Sequence, residues 1–132
     1  MCGICGFTGK LEKREDVLKK MTAVITHRGP DSEGFYIDDS VNMGFRRLSI
    51  IDLDSGHQPI YNEDKTLVLT FNGEIYNYKN LKAKLIEKGH TFRTESDSEV
   101  LVHGYEEYGT SLASKLRGMY AFVVWDTKTN LE

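Results

Sequence analysis

Cysteine and proline are scarce in this 132-residue sequence, with two of each, and there is one tryptophan. The two cysteines, Cys2 and Cys5, stand at C-x-x-C spacing. A structural zinc site takes about four ligands, and no third cysteine exists to extend the pair. His27, His57, His90 and His103 are scattered, with no H-x-x-x-H pair to complete a site. A redox pair belongs after a strand and at a helix N-terminus, whereas this one opens the chain. No metal ligands are therefore assigned, and Cys5 is expected to be a small core residue. Also missing is any run near the roughly 18 apolar residues of a membrane span. The start Met1-Cys2-Gly3-Ile4-Cys5-Gly6-Phe7 lacks the basic and apolar regions of a signal peptide. These absences point to a cytoplasmic protein. A net charge of −3 without a basic run gives no reason to expect nucleic acid or a membrane surface as partner. There are no repeats, low-complexity tracts or linkers.

What is present suits one domain with one core. Hydrophobic residues make up 39% and charged residues 28%, the balance of a soluble globular chain. Residues 3–8 read as a strand. Val17, Leu18, Met21, Val24 and Ile25 follow a helical rhythm, which should end before the loop His27-Arg28-Gly29-Pro30-Asp31. Strands are expected near Gly34–Ile37, Met43–Ile51 and Thr66–Phe71. A second helix is expected from Tyr78 to Lys88, stopped by Gly89. A third should begin at the capping box Ser96-Asp97-Ser98-Glu99 and close at Gly109. Met119–Trp125 reads as an apolar strand, followed by a turn over Asp126–Asn130. Strands in adjacent groups predict an α+β fold with mainly antiparallel sheets.

Four places carry possible chemistry. Removal of Met1 would give Cys2 a thiol and a free α-amine, a nucleophile with its own base; an incidental cysteine is the alternative. Asn72-Gly73-Glu74 follows an apolar strand. A sharp turn there would let the Asn72 amide and the Gly73 N–H hold an oxyanion, or it is a plain Asn-Gly hairpin turn. Arg46 and Arg47 are consecutive on a strand and so face opposite ways. One of them can turn inward to fork a carboxylate, unless both are solvated at a strand end. Asp97 sits in the expected first turn of the third helix, where the helix dipole alone would favour it; it could also hold an ammonium group.

The chain resembles the class II glutamine amidotransferases, N-terminal-nucleophile hydrolases, and in particular their asparagine synthetase branch. The resemblance rests on Met1-Cys2-Gly3-Ile4, His27-Arg28-Gly29-Pro30-Asp31, Arg47-Leu48-Ser49-Ile50, Gln58-Pro59 and Phe71-Asn72-Gly73-Glu74-Ile75-Tyr76-Asn77. Thr94-Glu95-Ser96-Asp97-Ser98-Glu99 and Leu116-Arg117-Gly118-Met119-Tyr120-Ala121-Phe122 extend it over nearly the whole chain. It implies a four-layer αββα sandwich. It implies Cys2 as nucleophile with its α-amine as base, and Asn72 and Gly73 as the oxyanion hole. It further implies Arg47 on the α-carboxylate of L-glutamine, Glu74 and Asp97 at its α-amino end, and Leu48, Ser49, Ile50 and Ile51 lining the pocket.

The implied activity is glutamine hydrolysis to glutamate, with the ammonia feeding ATP-dependent asparagine synthesis from aspartate in a parent enzyme. The family's glutaminase domain runs on beyond residue 132 and precedes a synthetase domain. This chain is thus expected to be the N-terminal portion of that domain, incomplete at its C-terminus. No P-loop of the G-x-x-x-x-G-K-[ST] type occurs. No cofactor is expected here, since ATP and magnesium would belong to the synthetase domain. An interrupted sheet after Met119–Trp125 would leave an edge open to self-association. A non-catalytic glutamine-binding module is the rival reading. A relative that amidates another acceptor would carry the same motifs.

Overall fold

The computed structural model describes residues 2–48 and 58–129. Two antiparallel three-stranded sheets form its centre. In the first, β3 (Val41–Arg47) lies between β1 (Gly3–Thr8) and β2 (Ser32–Ile37). In the second, β5 (Leu67–Ile75) lies between β4 (Ile60–Tyr61) and β6 (Gly118–Asp126).

The pleat assigns each residue to a layer, because alternate side chains face opposite ways. In β5 the odd positions Leu67, Leu69, Phe71 and Ile75 join a core with α2 (Tyr78–Glu87) and α3 (Glu99–Tyr108), through Leu81, Leu85, Val100 and Leu101. The even position Val68 packs the other way, with Trp125 of β6 and with Val41 and Met43 of β3. That second cluster is the seam between the sheets. On the outer side of the first sheet, α1 (Arg14–Val24) places Thr22 Oγ1 3.4 Å from Cys5 Sγ. The same helix approaches so closely that a Cβ on Gly44 would meet Thr22 Oγ1. The order is therefore α1, first sheet, second sheet, α2 with α3: the expected α+β sandwich of four layers. Asp38 ties the two sheets at one end, accepting from Trp125 Nε1 at 3.1 Å and from the Tyr36 hydroxyl at 2.9 Å.

Several local expectations need correction. Asn72-Gly73 is no turn and no hairpin: both residues lie inside β5, opposite Ala121 and Tyr120 of β6. Gly73 takes φ 139°, and an added Cβ would collide with the Met119 carbonyl. A glycine there lets the strand continue where another residue would stop it. The third helix starts at Glu99, and its N-cap residue Ser98 makes no side-chain capping bond. The Ser96 hydroxyl instead accepts from the Ser98 N–H at 3.2 Å, and the Glu99 carboxylate accepts from the Arg93 N–H at 2.9 Å. The Ser96–Glu99 box is thus replaced by bonds to the preceding loop. In α1 the buried line runs through Leu18 and Thr22, and Val24 is 75% exposed. Cys5 is half-buried. Strand β3 ends at Arg47, and the expected extension through Ser49, Ile50 and Ile51 lies outside the described residues.

Candidate active site

Antiparallel pairing of Gly3 with Arg46 brings the start of the chain to the end of β3. Cys2 is held there at two points. Its Sγ accepts from the Leu48 N–H at 3.3 Å and lies 3.9 Å from the Leu48 carbonyl. Its own carbonyl accepts from Arg28 Nε at 3.1 Å. Arg28 closes a 3-10 turn, Thr26–Arg28, that leads into Gly29-Pro30-Asp31. That loop lies against β3: the Asp31 N–H donates to the Arg47 carbonyl at 3.0 Å. Gly29 is needed for the approach, since a Cβ there would strike the Arg46 carbonyl.

The two arginines part as strand alternation requires. Arg46 turns outward, donating to the Gly29 carbonyl at 2.8 Å and to Glu33 at 2.9 Å. Arg47 shares the inner face with Met43 and Phe45 and is only 7% exposed. Cys2 has the parity of Ile4 and Gly6, residues whose strand partners are Phe45 and Met43. Both Cys2 and Arg47 thus belong to the inner face of the first sheet.

The second sheet answers from across the seam. By the parity that sends Val68 inward, Thr70, Asn72 and Glu74 point the same way, and Thr70 Oγ1 lies 3.9 Å from Met43 Sδ. A cavity of about 300 Å³ lies in the seam between the sheets, with Ile4, Gly6, Met43, Thr70 and Val123 in its wall. Asp97 arrives from the loop before α3 rather than from its first turn. Its Oδ2 accepts from the Ile75 N–H at 2.8 Å. Burial above all raises the Asp97 carboxyl from its ordinary value; the Ile75 hydrogen bond opposes this, and the Glu74 charge adds to it. Two carboxylates therefore meet at the end of β5, one exposed and one half-buried.

Of the residues expected at the site, Cys2, Arg47 and Leu48 come together on one sheet, and Asn72, Gly73, Glu74 and Asp97 on the other. Ser49, Ile50 and Ile51 lie outside the described residues. Sequence reasoning gave no structural role to three supports that lie within the family motifs. Arg28 and Gly29 sit in the loop between α1 and β2. Gln58 uses its side-chain amide as a strand partner, accepting from the Phe71 N–H and donating to the Phe71 carbonyl at 2.9 Å. Asn77 does the same for the approach to β6, donating to the Lys115 carbonyl at 2.8 Å and accepting from the Arg117 N–H at 2.9 Å. A glutamine and an asparagine flanking an apolar strand were the available signal.

Comparison with known families decides the affiliation. Residues 1–131 match the family described as "Glutamine amidotransferase domain". The chain belongs to that family. Among curated proteins, this glutamine amidotransferase domain is 50% identical over 131 residues to "Asparagine synthetase [glutamine-hydrolyzing] 1" of Bacillus subtilis, covering 93% of the chain and 21% of the relative. It is 48% identical to "Asparagine synthetase [glutamine-hydrolyzing]" of Zea mays, over 97% of the chain and 22% of the relative. The chain thus spans about a fifth of the length of these relatives. Among solved structures, the glutamine phosphoribosylpyrophosphate amidotransferase of B. subtilis aligns with 69% of the chain and 22% of its own, at 28% identity and a TM-score of 0.54. A structure titled as the allosteric regulatory enzyme of purine biosynthesis aligns at 27% identity and a TM-score of 0.55, over the same shares. Both likenesses, at more than 25% identity and TM-scores above 0.5, agree with the layer order.

Proposed function

We propose that this domain hydrolyses the side-chain amide of L-glutamine through Cys2, after Met1 has been removed. The observation that carries the reading is the setting of Cys2 Sγ: held by the Leu48 N–H at the end of the strand that carries the buried Arg47. In this mechanism the freed α-amine takes the thiol proton, and the thiolate attacks the amide carbon. Negative charge then develops on the former carbonyl oxygen, where the Asn72 amide and the Gly73 N–H act as donors. The α-amine returns its proton to the departing nitrogen and ammonia leaves. Water, deprotonated by the same amine, attacks the thioester and releases glutamate with a restored thiol. Arg47 forks the α-carboxylate, while Glu74 and Asp97 face the α-ammonium. Leu48, Ser49, Ile50 and Ile51 supply the wall beside Cys2.

The relatives' names support asparagine synthesis as the use of the ammonia in a parent enzyme, with aspartate as the acceptor in this proposal. ATP and magnesium would then be held by a synthetase domain, and the protein would work in the cytoplasm. The test is alkylation by a glutamine analogue carrying an electrophilic ketone at the amide position. Stoichiometric labelling of Cys2, blocked by glutamine and lost in Cys2→Ala, is expected. Ammonia release that persists in Cys2→Ala would overturn the mechanism, and glutamine binding without labelling or turnover would favour a non-catalytic binding module.

A further inference from the structure

On the far side of the second sheet, the helical layer gathers two histidines and three glutamates, joined by a fourth from a strand turn. His90 follows Gly89, just past the end of α2, and its ring lies 5.5 Å from that of His103 on α3. Glu106 reaches both rings: Oε1 is 3.4 Å from His103 Nδ1 and Oε2 is 3.9 Å from His90 Nδ1. Glu63, in the turn between β4 and β5, places Oε1 3.6 Å from His103 Nδ1. We propose that His90, His103 and Glu106, with Glu63 as fourth ligand, form a binding site for a divalent transition-metal ion of the zinc class.

Two independent observations converge on a ligand. First, donor atoms of His90, His103 and Glu106 all lie within 4.8 Å of one another. Tetrahedral zinc, with bonds of about 2.0–2.1 Å, sets its donors about 3.3 Å apart, so small side-chain rotations close the shell. Second, His103 is 4% exposed, yet its Nδ1 has no hydrogen-bond partner among the described residues. The nearby Glu106 and Glu63 oxygens, at 3.4 and 3.6 Å, make no hydrogen bond to it. A buried nitrogen left without a partner is costly and uncommon in folded proteins, and a metal ion is the kind of partner its lone pair suits.

The outward nitrogens complete the pattern. His90 Nε2 lies 3.0 Å from Glu107 Oε2, and His103 Nε2 faces Glu99 Oε2 at 3.9 Å. The Glu107 carboxylate behind His90 fixes that ring's tautomer and leaves its Nδ1 lone pair facing the cluster, as in carboxylate–histidine–metal arrangements. A dication among these groups would relieve the repulsion between the carboxylates. Imidazole with carboxylate selects zinc and its transition-metal neighbours over magnesium or calcium. Four protein ligands make a closed, structural site. It would staple three segments: the end of α2, the last turns of α3 and the β4–β5 turn. The site lies apart from Cys2 and does not depend on the proposed glutaminase activity.

The test is to strip the chain with a chelator, dialyse it against zinc chloride, and measure metal content by mass spectrometry. Cobalt(II) absorption then reports the donors. One zinc per chain is expected, with tetrahedral cobalt bands and no thiolate charge-transfer band, unchanged when Cys2 and Cys5 are alkylated. His90→Ala and Glu106→Gln should each weaken zinc binding by more than about 100-fold, and Glu107→Gln by about 10–100-fold, the usual effect of losing a carboxylate behind a ligand. His103 is core-buried, so the partly exposed positions carry the test; circular dichroism confirms that those variants remain folded. No uptake below millimolar zinc would overturn the proposal. So would uptake that His90→Ala and Glu106→Gln leave intact, or a thiolate band that alkylation removes. In each case the cluster would be an ion-pair network only.

Discussion

Exchanging Asp97 for asparagine removes one negative charge and leaves a hydrogen bond standing. An amide oxygen can accept from the Ile75 N–H that lies 2.8 Å from Oδ2. The raised Asp97 carboxyl, with burial as its leading cause, fixes the sign of the stability change. A carboxyl raised by folding holds its proton more tightly in the native state than in the unfolded chain. Stability therefore falls as pH climbs from the ordinary carboxylate value through the raised one, and stays reduced above it. Asparagine stands in for the protonated form, so Asp97→Asn should melt at or above the wild-type temperature at neutral pH. Its stability should also vary less with pH across that window. Glutamine binding should move the other way. Losing a charge-assisted partner for the α-ammonium costs about 1.5–3 kcal/mol, or about 10- to 150-fold in Kd. Differential scanning calorimetry between pH 4 and 8, beside isothermal titration with glutamine, reads both effects. An unchanged Kd would show that the ammonium is held elsewhere. A lower melting temperature at neutral pH would show that the Ile75 bond needs a charge, and the reasoning would fail.

Chain retaining Met1 should release negligible ammonia from glutamine, because its Cys2 nitrogen is an amide and no base; N-terminal mass and an ammonia assay on both forms check this. Arg47→Ala should weaken glutamine binding by about 2–4 kcal/mol through loss of a forked carboxylate contact, whereas Asn72→Ala should lower turnover by about 10²–10³. Equal effects of the two on binding alone would refute the division of roles. Among the described residues β6 pairs only with β5, and Met119 at its start is 66% exposed. Light scattering over a concentration series should therefore show self-association through that edge. A monomer at every concentration would exclude it.

Legibility of the fold followed the range of the interactions involved. Helices α2 and α3 were readable because Leu81 with Leu85, and Val100 with Leu101, declare a buried side locally, and glycines at 89 and 109 end them with positive φ. Asn72-Gly73 was misread because its outcome is set by Ala121 and Tyr120, far along the chain. A local motif cannot announce a partner strand that keeps it extended. The two-residue strand β4 carries no periodicity at all. Ser96–Glu99 failed as a capping box because the Arg93 N–H claimed the Glu99 carboxylate first. Site residues were more legible than supports: Cys2, Arg47, Asn72 and Asp97 announce themselves by type. Arg28, and the pairing of His90 with His103, exist only once loops and helices have docked.

The clasp on Cys2 has an entropic consequence. A chain end ordinarily frays, and its first residues sample many rotations. Here the proposed nucleophile stands near the start of the chain, tethered at its sulfur by Leu48 and at its carbonyl by Arg28. Ordering one residue's backbone takes about 1–2 kcal/mol, equivalent to about a 5- to 30-fold change in rate if it had to happen on each turnover. Folding settles that cost once, before glutamine arrives. The loop that donates Arg28 would therefore serve the proposed reaction by making the most mobile place in a polypeptide stand still.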